Sequence, residues 1–218
     1  MHHAKPLPSY LAKRYHGWKA TAYEESKAWF RRLADEGQRP RAMVIACCDS
    51  RVQATALFGA EQGEFFIHRN IANLVPPHEP DGAHHGTSAA VEYAVTVLKV
   101  AHLLVLGHSN CGGVKGCAEL CAKDSASKGA GDSYVTTWIE LLRPAWEKVQ
   151  DAPVSDSDEL LQKLEKQGVV TSLDNLITFP FVHEAVEAGE LSLHGLWIDI
   201  REGELEYYDT EAGSFVPV

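Results

Sequence analysis

"RAMVIACCDSRV", Arg41 to Val52, passes without a break from an apolar run into a cluster of reactive side chains. Its first half is short, continuously apolar and partly β-branched, the pattern of a strand buried on both faces of a parallel sheet. Its second half sets two thiols, a carboxylate, a hydroxyl and a guanidinium within five consecutive positions, Cys47 to Arg51. In open α/β sheets ligands bind beyond the carboxyl ends of the strands. A strand that ends in this chemistry therefore points to a fold class and to the place of a site.

The flanking sequence repeats the pattern. "GEFFIHRN" (Gly63 to Asn70) reads as a second strand and "HLLVLGH" (His102 to His108) as a third, buried one. Ala22 to Gly37 has helical apolar spacing and closes on glycine. Between the second and third strands, a Pro-rich loop leads into "TSAAVEYAVTVLKV", a helix rich in small residues. "SNCGGVKG" then runs into another helix, "CAELCAK". Ser133 to Ala188 reads mostly helical, broken by "DAPVSDSD" and by Pro180. "LSLHGLWIDI" and "ELEYYD", joined by "REG", read as a closing hairpin. The expected fold is α/β: a mainly parallel central β-sheet flanked by helices, with a C-terminal antiparallel strand or hairpin. One domain over residues 1–218, with an N-terminal helical arm to about residue 37, is the economical organisation.

The chain of 218 residues carries a formal net charge of −10, with 45% hydrophobic and 23% charged residues. That balance suits a globular protein and argues against a nucleic-acid partner, which calls for a basic stripe. No run of about 18 apolar residues occurs, so no membrane span is expected. The N-terminal sequence lacks the apolar core of a secretory signal, which makes the cytoplasm the expected location. The five cysteines, Cys47, Cys48, Cys111, Cys117 and Cys121, are odd in number and bunched in two places. Metal or catalytic use fits them better than a disulfide framework.

His108 and Cys111 follow the third strand as Cys47 and Cys48 end the first. Two cysteines and a histidine are a ligand set for zinc with one position left open, and soft thiolates favour zinc over magnesium or calcium. Spacing alone leaves open whether Cys47 or Cys48 is the ligand, and whether both are simply small core residues.

"CCDSRV" followed by "GHSNCGGVKG" resembles the β-class carbonic anhydrases, whose pattern is Cys-x-Asp-Ser-Arg and, later, His-x-x-Cys. The resemblance extends through "EFFIHRNIANLVPP", "GTSAAVEYAV" and "LLVLGH" over most of Gln38 to Gly116, with "SLHGLWID" similar to the family's last core strand. It implies one Zn2+ per chain on Cys47, His108 and Cys111, and reversible hydration of CO2 to bicarbonate and a proton by a zinc-bound hydroxide. It selects Cys47, two before the aspartate, as the ligand. Cys48, pointing to the other face of the strand, is expected to be a buried neighbour. Asp49 would orient the hydroxide and Arg51 would hold Asp49 through a bidentate pair. In a regulated subgroup a tryptophan three before the ligand cysteine and a tyrosine in the last core strand help bind an inhibitory bicarbonate. Here Val44 stands at the first position and Ile198 or Trp197 near the second, although Arg69 is present. An open site without that switch is expected.

The same resemblance assigns Gln38 as an amide donor to a substrate oxygen, and Phe66, Ile71 and Tyr93 to the wall of the CO2 cleft. Plain loop and core roles are the competing readings. Gly112 and Gly113 would admit close backbone approach. Part of the family's wall comes from a second subunit, so a homodimer or dimer-based oligomer is implied. His84 and His85 offer a proton relay, against the plainer reading of loop histidines. Cys117 and Cys121, four apart on a helix, read as interior packing, and His2 and His3 as incidental. Alternatives to CO2 hydration are hydrolysis of carbonyl sulfide or carbon disulfide on the same scaffold, and a non-catalytic zinc-structural protein. Retention of Asp49 and Arg51 beside the ligands weighs against the latter.

Overall fold

Strand β1 (Ala42–Cys47) is buried at all six positions, as its unbroken apolar sequence requires. It pairs in parallel with β2 (Phe65–Asn70) on one side and β3 (His102–His108) on the other. β4 (Ser192–Ile198) continues the parallel arrangement beside β3, and β5 (Leu205–Asp209) and β6 (Ser214–Pro217) add two antiparallel strands. The sheet order is β2-β1-β3-β4-β5-β6, the expected mixed α/β sheet with one strand more at its end than the hairpin reading gave. These relationships come from a computed structural model that describes residues 4–80, 85–123 and 133–218. His2, His3 and His84 lie outside the described residues.

The chain divides into two compact units, Met1–Arg39 and Pro40–Val218. Within the first, α1 (Ser9–Trp18) continues through a π-helical turn, Lys19–Tyr23, and α2 (Lys27–Glu36) ends at Gly37. The helix expected from Ala22 therefore begins at Lys27. Trp18 and Tyr23 both contact Phe30, with ring centroids 5.8 and 5.3 Å away, and no residue of these helices is buried.

The second unit adds the short α3 (Ala54–Leu57), then α4 (His85–Glu92), which runs into a π-helical turn, Tyr93–Val97. α5 (Gly112–Lys123) follows β3, and α6 (Tyr134–Ile139), α7 (Arg143–Val149), α8 (Ser157–Ile177) and α9 (Pro180–Glu187) fill the long helical region. Alternate residues of the strands serve opposite faces. Met43, Ile45, Leu103 and Val105 pack with Val91, Val169, Leu176 and Val182 in one core. Val44, Ala46, Leu106 and Leu196 pack with Val52 and Ala54 in another. Each Val, Leu, Ile or Met among these contributes about 1.5–3 kcal/mol on full burial.

α8 places one further residue of consequence, Glu165. Its N-terminus is fixed by Asp156, whose Oδ1 accepts from the amides of Asp158 and Glu159 at 2.9 and 3.0 Å. This is an N-cap that satisfies two otherwise unpaired donors. The helix then lies close on the sheet: a Cβ on Gly107 would come within 2.6 Å of Val169 Cγ2. Only glycine at that position of β3 permits the approach.

Candidate metal centre

The parallel register pairs Ala46 of β1 with Leu106 of β3, so the two strands end side by side. Their last residues, Cys47 and His108, thus meet at the carboxyl edge, where the order of the sheet departs from the order of the chain. The turn after β3 brings back Cys111. One donor atom from each of Cys47, His108 and Cys111 lies within 4.8 Å of the others, and all three residues are buried. The two sulfurs are 3.9 Å apart.

His108 Nδ1 sits 2.9 Å from the carbonyl oxygen of Ser109. A carbonyl only accepts, so Nδ1 carries the proton and Nε2 presents its lone pair. That Nε2 is buried with no hydrogen-bond partner among the described residues. A buried polar atom left alone beside two sulfurs is the signature of a metal ligand. The thiols tell the same story. The hydrogen bond between them holds Cys47 well below the ordinary thiol range and pushes Cys111 above it, burial adding to the rise. The two sulfurs lie within hydrogen-bonding reach of each other, and a divalent ion bound between them would displace the thiol protons.

Both turns are shaped for this. Ala72 adopts φ 62°, a costly left-handed conformation for a residue with a Cβ, and its amide reaches Cys47 Sγ at 3.4 Å. Asn110 adopts φ 57° immediately before Cys111, a conformation asparagine tolerates better than most residues. Arg69 donates to the carbonyls of Cys47, Asp49 and Val52 at 2.9, 2.7 and 2.8 Å, tying down the whole turn after β1. The amide of Ile200 donates to Ser109 Oγ at 2.8 Å, which anchors the turn after β3 to the end of β4.

Asp49 is turned toward Arg51. Oδ1 accepts from the Arg51 amide and from Nε, both at 2.9 Å, and Oδ2 accepts from Nη2 at 2.7 Å. Arg51 Nη2 also reaches the carbonyl of Asn110 at 3.1 Å, joining the two turns. The guanidinium holds the Asp49 carboxyl well below the usual carboxylate range. Asp49 thus stays anionic beside the three donors.

Other expected residues are placed as follows. Ile71 lines a cavity of about 780 Å³ with Cys48, His68, Asn70, His85 and Trp138. Phe66 and Tyr93 stack on each other, centroids 5.8 Å apart, and neither lines that cavity. Gln38 is exposed in the N-terminal unit. Close approach occurs at Gly113, where a Cβ would lie 2.7 Å from Ile71 Cγ2 and 3.1 Å from Ala72 Cβ; at Gly112 a Cβ meets nothing within 4 Å. Cys117 is buried as expected, with Cys121 Sγ at 3.8 Å. Cys48 corrects the sequence reading. It is not one of the three clustered donors, but it is exposed rather than buried: β1 ends at Cys47, and Cys48 lies beyond it on the wall of the cavity.

Glu165 was not anticipated. It is 3% exposed, and its oxygens accept from the Cys111 amide at 3.0 Å and from the Trp197 indole at 3.2 Å. Burial pushes its carboxyl up to about 7, against the pull of those two donors. A charged residue on the helix face shared by Leu164, Gly168, Val169 and Ser172 is the one signal that could have found it.

Comparison with known proteins agrees with this architecture. The family model described as carbonic anhydrase matches residues 42–205. Beta carbonic anhydrase 3 of Arabidopsis thaliana is 35% identical over 195 residues, which cover 89% of this chain and 74% of the relative. Among solved structures, the β-carbonic anhydrase CcaA matches with a TM-score of 0.85 and 30% identity, covering 95% of this chain and 98% of that one. A chain from the tetrameric β-carbonic anhydrases of the filamentous ascomycete Sordaria macrospora matches with a TM-score of 0.77 and 29% identity, covering 95% and 97%. With the Cys47–His108–Cys111 cluster at the place the fold reserves for a ligand, this chain belongs to the β-class carbonic anhydrase family of enzymes.

Proposed function

We propose that this protein catalyses the reversible hydration of CO2 to bicarbonate and a proton, with zinc held by Cys47, His108 and Cys111. The observation that carries the reading is the convergence of two thiols and an orphaned imidazole Nε2 in one buried cluster. The fit to zinc is metrical as well as chemical. Zn–S bonds of about 2.3 Å at a tetrahedral angle set two sulfurs about 3.8 Å apart, and here they stand at 3.9 Å. Bound there, zinc supplies a nucleophile at neutral pH by lowering the pKa of a water ligand to about 7.

The protein's own groups do the rest. Asp49, kept anionic by Arg51, has one oxygen engaged twice and the other only once. Oδ2 therefore retains acceptor capacity for an incoming O–H, whose proton it would orient. Ile71, packed over Gly113, offers an apolar surface to CO2. The start of α5 follows Cys111 directly, and its Gly113 and Val114 amides donate to the Cys111 sulfur, favouring the thiolate a metal would bind.

The open-site form is part of this proposal. Val44 is fully buried in β1, Arg69 directs Nε and Nη2 to three backbone carbonyls, and the Trp197 indole is engaged by Glu165. These engagements support a site without the bicarbonate switch. Assembly into dimers or higher oligomers is also proposed. Exposed Ile71, Tyr134 and Val135 beside the 780 Å³ cavity support it, as does the tetrameric state of the Sordaria relatives.

Stopped-flow CO2 hydration from about pH 6.5 to 9, with and without bicarbonate and with zinc stoichiometry measured on the same samples, tests the reading. One zinc per chain and a rate that bicarbonate leaves unchanged at low pH are expected. Protein loaded with zinc yet inert toward CO2 overturns the activity. A steep loss of rate below about pH 8 that bicarbonate deepens overturns the open-site form.

A further inference from the structure

Glu165 is a buried carboxylate with neutral partners. It lies on the inner side of α8 beside Leu164, and its two oxygens are taken by two uncharged donors, the Cys111 amide at 3.0 Å and the Trp197 indole at 3.2 Å. The adjacent cation, Lys166, is directed elsewhere: its Nζ pairs with Glu206 at 2.7 Å and stands 4.4 Å from the centre of the Trp197 ring. A buried carboxylate costs stability unless its hydrogen bonds are good, and an apolar side chain would fill the same space more cheaply. What distinguishes a carboxyl group from an apolar side chain here is an acceptor oxygen for each N–H.

The backbone it holds needs holding. In the turn His108–Cys111, Ser109 is tied to β4 through the Ile200 amide, and the Asn110 carbonyl is tied to Arg51. Asn110 carries the left-handed φ of 57° that swings Cys111 back toward Cys47. The Cys111 amide is the next group along, and α8 answers it with Glu165.

We propose that Glu165 is a positioning residue for the metal centre, fixing the Cys111 backbone so that its sulfur is preorganised toward Cys47 and His108. The proposal rests on the reading that these three residues ligate zinc. Glu165 touches no metal donor atom; it acts through the Cys111 amide, and the Trp197 indole in turn aims Glu165. Outer partners of this kind typically govern metal affinity by about 10–100-fold.

The experiment compares zinc release to a chelator from the full-length holoenzyme and its Glu165→Met, Glu165→Gln and Trp197→Phe variants, with the absorption of the cobalt-substituted forms as a second readout. Methionine matches glutamate in length and cannot accept the Cys111 amide strongly, so Glu165→Met is expected to lose zinc about 10–100-fold more readily and to shift the cobalt–thiolate bands. Glutamine keeps an acceptor, and Glu165→Gln is expected to stay within about threefold of the parent. Trp197→Phe removes only the second donor and is expected to retain zinc and spectrum. Equal retention in Glu165→Met and parent overturns the proposal. Equal loss in Glu165→Met and Glu165→Gln, or in Trp197→Phe, also overturns it, since packing damage rather than the Cys111 bond would then be the cause. Should Glu165→Met fail to fold, Glu165→Leu, which likewise offers the Cys111 amide no acceptor, takes its place with the same expectation. A parent that binds no zinc defeats the ligand assignment itself and is told apart from these outcomes at once.

Discussion

Arg51 grips Asp49 through a planar fork, Nε on Oδ1 at 2.9 Å and Nη2 on Oδ2 at 2.7 Å, and the same Nη2 reaches across to the Asn110 carbonyl at 3.1 Å. The pair is thus a strut between the turn that carries Cys47 and the turn that carries Cys111. Asp49 is not among the metal donors, so Asp49→Asn is expected to leave zinc content unchanged while lowering kcat/KM on the order of 10²-fold, the scale of a lost electrostatic acceptor. Arg51→Lys keeps the charge but not the fork, and is expected to fall between the two. Stopped-flow rates together with metal analysis check both. Zinc loss in Asp49→Asn would make Asp49 a ligand instead.

The two adjacent cysteines separate cleanly. Cys47 is buried among the donors, while Cys48 is exposed and its amide bonds to the Asn70 carbonyl at 2.8 Å. Cys47→Ser is expected to abolish zinc binding and activity, and Cys48→Ser to keep both. In the unassembled, zinc-loaded chain a maleimide reagent should label Cys48 first, because the other thiols are buried, partly buried or engaged by the metal. Peptide mapping of the labelled protein checks this.

Without a metal, buried His108 Nε2 has no hydrogen-bond partner among the described residues and the two sulfurs stand 3.9 Å apart. Ligands that bind only the folded chain stabilise it by about 4 kcal/mol at a thousandfold excess over Kd. For a chain of this size that corresponds to a Tm roughly 8–16 °C lower in the chelated protein. Differential scanning calorimetry with and without chelator, and again after zinc is restored, measures the drop and its reversal.

The centre of the sheet was legible because β1 and most of β3 are buried on both faces, which leaves unbroken apolar words such as "RAMVIAC" and "HLLVLGH". β6 was not, since "SFVP" is short, half exposed and paired only with β5. The cluster Cys47, His108 and Cys111 was legible because each residue stands at a strand end or in the first turn after it. The groups that hold them were not. Arg69 reaches back 17 to 22 residues to three carbonyls, and Glu165 meets Cys111 across 54 residues, so no local pattern records either contact. Cys48 was misplaced for the converse reason: alternation gives a side chain's direction but not whether anything lies there to cover it.

The two glycines after Cys111 look alike in sequence and differ in space. A Cβ on Gly113 would press to 2.7 Å from Ile71 Cγ2 and 3.1 Å from Ala72 Cβ. Ile71, 38% exposed, can swing aside; Ala72, held at φ 62° with its amide on Cys47, cannot. Gly113→Ala is therefore expected to cost about 1–3 kcal/mol and to weaken zinc retention. Gly112→Ala meets open space and replaces glycine by the best helix former, so stability should rise by up to about 1 kcal/mol. Thermal melts of the two variants should move in opposite directions.

The last prediction concerns acid. His68 Nε2 lies 3.0 Å from Thr87 Oγ1, and burial lowers the pKa of the His68 imidazole below its ordinary value of 6.5. His194 is lowered likewise, by burial and then by the neighbouring His102. In the window between each lowered pKa and 6.5, the unfolded chain binds the proton that the folded chain refuses. The difference in bound protons then makes stability rise with pH through that window and level off above it. The unfolding free energy of the holoenzyme should accordingly fall as pH drops below about 6.5. His68→Gln keeps a partner for Thr87 but cannot titrate, and should flatten this slope relative to the parent. Proton competition for the zinc ligands acts equally on both proteins and cancels in the comparison. Denaturant unfolding from about pH 5.5 to 7.5 measures both slopes, and identical slopes would mean that His68 is not a source of the acid sensitivity.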